Sequence, residues 1–373
     1  MNHAISAEPT LRIDVVVAPL PVSKPRRRYR QRDRVPVALA VAAILFAGIN
    51  AALFLVFDVG HPTWRDPEFG VRLAQLQRWK TLHPERKLVV ILGSSRTAQG
   101  LCPSEMDDGT GPLVFNMSLA GGGPVCQMLV LQRLLHFGIT PDSLIVEYWP
   151  PLLRDDGNYH EQHRLDAKRL LGSDEPVVER YFPHPQVAWK QRASDTGWSL
   201  GAHRKQILSV ALPCCLPEAD RTDGAWNALD DHGWWPGRTT VTSHRVEEGW
   251  ATVEYFYKPM YAGYALGTQH CAAFADVHRW ARDNRIPVLM VQMPESTRFQ
   301  RMKTPRADAL AETHLKQILN EFHPTWIDAR TWAEDHELPD GFHLTQAGAK
   351  RFSRRFLGTA AALWLASVQQ PFR

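Results

Sequence analysis

No two cysteines of this chain stand at Cys-x-x-Cys spacing. The five, Cys102, Cys126, Cys214, Cys215 and Cys271, therefore argue against a zinc ribbon. Cys214 and Cys215 are adjacent, which disfavours a disulfide between them, and an odd count leaves at least one thiol unpaired within the chain. No sign of charge dominates. Forty-three basic residues against 39 acidic ones leave a net charge of +4, too small to argue for a nucleic-acid partner. No internal repeat is visible. With 44% hydrophobic and 22% charged residues the composition is that of a globular protein. Its 373 residues suffice for one large domain with an insertion, or two small ones.

The most local absence is of charge between Val35 and Phe57, where Asn50 is the only strongly polar residue. At 1.5 Å per residue a helix over this stretch spans roughly 33 Å, about the hydrocarbon thickness of a bilayer. A transmembrane helix is expected at 35–58. The apolar run is too long, and the segment before it too extended, for a cleaved signal peptide. Lys24, Arg26, Arg27, Arg28, Arg30, Arg32 and Arg34 crowd the preceding segment, and Pro9, Pro19, Pro21 and Pro25 interrupt it. Residues 1–34 are therefore expected to be a basic, disordered, cytoplasmic tail, with everything after Asp58 on the other side of the membrane.

A connector, 59–86, follows. Phe69, Val71, Leu73, Leu76, Trp79 and Leu82 recur near helical spacing, and His83-Pro84 ends that helix. The next stretch organises the rest: Lys87 to Gly100, KLVVILGSSRTAQG, is a short apolar, β-branched run closed by Gly93-Ser94-Ser95. Buried parallel strands have this form. Further strands are expected at 113–117, 143–148, 287–293 and 325–328. Helices are expected near 125–137, with Pro124 in the first turn, and near 270–284, 306–322 and 345–366. Strand, helix and strand at this spacing predict an α/β domain over 87–373 with a parallel sheet and right-handed crossovers. Residues 152–265 break the rhythm with charge, proline and tryptophan (Trp226, Trp234, Trp235, Trp250), and are expected to form one partly helical insertion. Those tryptophans suit the core of the insertion, a sugar-stacking surface or a bilayer face.

In open α/β sheets ligands sit past the carboxyl ends of the strands, where Ser94 and Ser95 fall. A serine there needs a base. Asp340 and His343, three apart in DGFH, allow the carboxylate to reach imidazole Nδ1 and free Nε2 to accept a serine proton. The plainer alternative is that Asp340 caps the coming helix and His343 packs at its start. Oxyanion donors would be the N–H of Ser95 and that of Gly121 or Gly122, with the Asn116 amide as another candidate. His160-Glu161-Gln162-His163 offers two histidines without an apparent third ligand, so no metal is expected. The Gly-x-Ser-x-Gly elbow of α/β hydrolases is missing, because residue 97 is threonine.

The strand followed by GSSR resembles the first block of the SGNH (GDSL-like) hydrolases. FNMSLAGGG is similar to the second block, and DGFHLTQAGAKRF to the last. The resemblance covers roughly 87–150 and 286–360. It implies a flavodoxin-like, three-layer parallel sheet carrying a large insertion. It also implies Ser95 as nucleophile, His343 as base and Asp340 as orienter, with no cofactor. Ser94 stands where the family has aspartate. The family's third block, Gly-x-Asn-Asp, would fall at Glu147-Tyr148-Trp149-Pro150, where there is no asparagine. Arg96 and Glu147 are then candidates for shaping substrate binding, or for a structural ion pair. Membrane-anchored proteins of this kind assist O-acylation of envelope and extracellular polysaccharides. The resemblance therefore implies an esterase or O-acyltransferase acting on acylated carbohydrate, with a membrane-bound O-acyltransferase as a possible partner. The alternative is a non-catalytic accessory protein of the same assembly.

Overall fold

The computed structural model describes residues 34–154, 161, 165–216, 228–237 and 243–369. The expected tail up to Asp33, together with His160, His163 and Trp226, lies outside these residues. The chain divides into two units, Met1–Ile49 and Asn50–Arg373.

Helix α1 runs Arg34–Phe54 and continues as wider turns to Gly60. With a mean hydropathy of 2.5 over its most apolar window, it is long and apolar enough to cross a membrane. Helix α2, Pro67–Leu82, opens on Pro67, whose missing N–H costs nothing in a first turn. Phe69, Leu73 and Leu76 are buried, whereas Leu82 is exposed. The connector helix thus packs on the domain along one stripe.

The sheet elements follow: β1 Leu88–Leu92, α3 Ser95–Gly100, β2 Leu113–Asn116, α4 Pro124–His136 and β3 Ser143–Glu147. Between β3 and the next strand lie α5 Glu175–Tyr181, α6 Pro185–Gly197, α7 Ser199–Ala202, α8 Arg204–Ala211, α9 Ser243–Ala262 and α10 Thr268–Asp283. Then come β4 Val288–Gln292, α11 Thr297–Gln300, α12 Pro305–Phe322, β5 Thr325–Asp328, α13 Gln346–Leu357 and α14 Ala360–Gln369. The closing helix expected over 345–366 is two helices. Gly358 ends α13 by giving its N–H to the carbonyls of Arg354 and Arg355, and the chain restarts after Thr359.

All five strands are parallel, in the order β2-β1-β3-β4-β5. This is the flavodoxin-like order, with its switch point between β1 and β3. Alternation along β1 separates two cores. Leu88, Val90 and Leu92 pack with Phe69, Val130, Phe274 and Ile318 under α2, α4, α10 and α12. Val89 and Ile91 pack with Phe352 and Phe356 of α13 on the other face. The protein therefore has helices on both faces of an α/β sheet. Burying each such side chain stabilises the fold by about 1.5–3 kcal/mol.

No strand occurs among the described residues of 152–265, in line with a helical insertion. Trp234 and Trp250 are buried. Trp250 joins Trp149, Tyr257, Tyr261, Phe299 and Phe342 in an aromatic core beneath the DGFH turn. Arg133 of α4 is fully buried and ties the insertion to the connector, holding Asp174 (2.9 and 2.8 Å) and Asp66 (2.8 Å).

Candidate active site

The turn after β1 is shaped by what surrounds it. A Cβ on Gly93 would stand 2.3 Å from Thr97 Oγ1 and 2.7 Å from Glu147 Oε2, so only glycine fits there. Ser94 is the N-cap of α3, and its Oγ accepts from the Arg96 N–H (3.2 Å). Its own N–H donates to Glu147 Oε2 at 2.7 Å, and the Thr97 hydroxyl donates to the same oxygen at 3.2 Å. Glu147, at the end of β3, thus clamps the turn from the neighbouring strand. Ser94 is buried, and Ser95, the first residue of α3, is half-buried.

The second turn, between β5 and α13, is built locally. Gly341 has φ of +92°, and a Cβ there would meet the Trp250 ring at 2.4 Å. Its N–H bonds to the Leu338 carbonyl (2.9 Å), and its carbonyl accepts from Ser296 N–H (2.8 Å). Asp340 folds back on the turn, accepting the N–H of His343 (2.9 Å) and of Phe342 (3.3 Å) on Oδ1. Thr345, not Asp340, caps α13: its Oγ1 accepts from Gly348 N–H at 3.2 Å. Asp340 Oδ2 is thereby left to His343 Nδ1, 2.8 Å away.

The two turns meet. His343 Nε2 lies 2.7 Å from Ser95 Oγ across 248 positions of sequence. Burial pushes the Asp340 carboxyl up, but the His343 charge, its Nδ1 hydrogen bond and the two backbone N–H groups outweigh this and hold it at about 2. An ionised carboxylate only accepts, so Nδ1 carries a proton, and in the neutral ring Nε2 then presents its lone pair to the serine hydroxyl. Such a chain can draw a proton from Ser95.

Of the expected oxyanion donors, two remain available. The N–H groups of Ser95 and Gly121 have no hydrogen-bond partner among the described residues, and Gly121 sits at φ +72°. Leu119 N–H to Gly93 carbonyl (3.1 Å) lays the loop carrying Gly121 against the end of β1. The other two are corrected. Gly122 gives its N–H to the Leu119 carbonyl at 2.8 Å. Asn116 is buried, with both amide hydrogens committed to the carbonyls of Thr97 and Leu101 (2.9 Å each) and Oδ1 accepting from Ser118 N–H (3.0 Å). It ties β2 to α3 and has no hydrogen left to donate.

Arg96 is likewise internal. It is 1% exposed, donates to the carbonyls of Met293 (2.7 Å) and Pro294 (3.0 Å), and lies over the Trp149 ring at 4.4 Å. Its guanidinium stands between Glu147 (3.7 Å) and Glu295 (3.6 Å). Of the two roles open to Arg96 and Glu147, the structural one describes their contacts.

Beside His343 opens a cleft of about 390 Å³, walled by Gln99, Trp235, Pro236, Gly237 and Leu344. Trp235, Pro236 and Gly237 come from the insertion. Trp235 N–H bonds to the Ala98 carbonyl (3.0 Å), Trp234 Nε1 to the Gln99 carbonyl (2.7 Å), and the His232 carbonyl accepts from Asn116 N–H (2.9 Å). Nothing in the sequence connects His232-Gly233-Trp234-Trp235-Pro236-Gly237 to the site. Its only signal was a turn-forming composition beside the tryptophans. No group of three metal-ligating side chains occurs among the described residues. Glu161 is buried, 2.9 Å from Cys126 N–H at the start of α4 and 2.8 Å from His270 Nε2.

No family model matches this chain, and no curated protein does. What speaks for a chemistry is thus the arrangement of the residues themselves.

Proposed function

We propose that the protein is a membrane-anchored, SGNH-like serine esterase or O-acyltransferase acting on acylated envelope or extracellular carbohydrate. The observation that carries this reading is the hydrogen-bonded chain Ser95–His343–Asp340 at the carboxyl end of β1. His343 Nε2 takes the Ser95 proton as Oγ attacks the ester carbonyl. The N–H groups of Ser95 and Gly121 receive the developing oxyanion. The imidazolium then protonates the leaving alkoxide, giving an acyl-Ser95 ester and a free alcohol. Water, or a second sugar hydroxyl, gives its proton to His343 and takes the acyl group, and the imidazolium returns that proton to the departing Ser95 Oγ. The half-buried Trp235 in the cleft wall offers an aromatic face to a sugar ring. The basic segment before α1 supports a cytoplasmic N-terminus and a domain on the far side of the membrane.

A non-catalytic accessory role is favoured by one observation. No asparagine follows β3, and Asn116 is committed elsewhere, which leaves only backbone donors. Loss of one oxyanion donor costs about 10²–10³ in turnover, so a slow enzyme remains consistent with this site. A fluorophosphonate probe and an aryl acetate separate the readings. The enzyme labels and turns over, Ser95→Ala abolishes both, and Ser94→Ala retains labelling. Absence of labelling in the unsubstituted protein would establish the accessory role.

A further inference from the structure

Around the foot of α1 the domain exposes apolar side chains that the proposed chemistry does not use. Phe57 is buried there, stacked on His203 (4.4 Å) and edge-on to Trp64 (5.4 Å). Asp58 meets Arg65 and lies 3.6 Å from His203. Residues 61–65 and the α7 segment thus gather about one turn of the chain. Leu200 N–H also donates to Asn50 Oδ1 at 3.1 Å. Asn50 lies eight residues before Asp58, about 12 Å along a helix. The α7 segment therefore reaches back along the apolar stretch, beyond its charged end. In hydrocarbon a lone amide is costly, and this bond gives Asn50 a partner.

Trp64 (46%), Trp198 (59%) and Leu200 (37%) nevertheless remain exposed. Arg204 and Lys205, four and five residues after Leu200, are exposed too. Tryptophans and leucine beside basic residues, in the segment that bonds Asn50 at the end of the apolar stretch, match the chemistry of the headgroup boundary of an anionic bilayer.

We propose that Trp64, Trp198 and Leu200, with Arg204 and Lys205, form a lipid-facing collar that seats the domain in the interface of an anionic membrane. The proposal rests on the membrane-anchored part of the reading above and is independent of the serine chemistry. The collar fixes the distance of the domain from the lipid surface, which a flexible tether would leave open.

The test uses the full chain in vesicles of phosphatidylethanolamine and phosphatidylglycerol, with the photo-crosslinker p-benzoylphenylalanine replacing Trp64, Trp198, Leu45 of α1 or Arg354 of α13. Lipid adducts are expected at Trp64 and Trp198 in yields comparable with Leu45, and none at Arg354, on the opposite sheet face. Adducts at Leu45 without adducts at Trp64 and Trp198 overturn the collar while leaving the spanning helix. No adducts at any position overturn both, and fluorophosphonate labelling of Ser95 reports separately on the esterase. Reversing two charges, with Arg204→Glu and Lys205→Glu, is expected to lower the Trp198 adduct yield several-fold. An unchanged yield overturns the anionic preference.

Discussion

The two turns that meet at the site are made in opposite ways. The Asp340–His343 turn is largely self-sufficient: Asp340 binds the backbone and ring of a residue three places on, and Thr345 takes over the capping of α13. The Gly93–Thr97 turn holds its shape through distant groups: Glu147 of β3 on Ser94 and Thr97, Asn116 of β2 on the α3 carbonyls, and Met293 and Pro294 beyond β4 under Arg96. A short-range unit can be read from spacing. A turn clamped by three strands cannot, because its partners are chosen by the sheet order.

The contrast can be broken by substitution. The largest effect is expected for Asp340→Asn, which preserves shape but reverses the tautomer preference of His343. Aryl ester turnover should fall by about 10⁴-fold, with the urea midpoint little changed. Retained turnover would show that the local unit does not orient the base. Glu147→Ala should act on the other turn through stability. It leaves the Ser94 N–H and the Arg96 cation buried without that carboxylate, a loss of about 3–5 kcal/mol, read from urea unfolding, whereas Glu147→Gln recovers part of it. Equal stability in both variants would refute the clamp.

Gly341→Ala sharpens the comparison from the other side. A methyl group at φ +92° facing the Trp250 ring is expected to cost about 1–3 kcal/mol, with turnover falling as His343 is displaced. The smallest effect concerns acid. Asp340 is held at about 2, below its ordinary 3.8. Its contribution to stability is therefore full above about 4 and is lost as the pH falls towards about 2. Stability measured across that interval should decline less steeply in Asp340→Asn than in the unsubstituted chain. Parallel declines would mean that the carboxylate gains nothing from folding.

Much of the sheet was legible. The runs expected from Leu88, Leu113, Ser143 and Pro287 begin at, or one residue before, the starts of β1 to β4, since a strand buried on both faces shows in composition alone. The α13–α14 break at Gly358 was not, because the core-facing residues Phe352 and Phe356 before it and Ala361, Trp364 and Leu365 after it keep near-helical spacing. Arg96, Asn116 and Gly122 looked like groups facing a substrate. Arg96 and Asn116 are donors whose partners are carbonyls supplied by other segments, and no local pattern shows that they are taken; Gly122 is taken by the Leu119 carbonyl of its own turn.

Sequence alone determined the apolar helix at the N-terminus, the parallel α/β plan and the Asp340–His343 pair, because each depends on residues a few positions apart. Tertiary structure decided the rest. It brought Ser95 Oγ to 2.7 Å from His343 Nε2, left the Ser95 and Gly121 N–H groups open while committing the Asn116 amide to the carbonyls of Thr97 and Leu101, and walled the cleft with Trp235. The reason is that a hydrogen bond is directional and short-ranged, so whether a polar group is free depends on which distant segment the sheet order brings within about 3 Å of it.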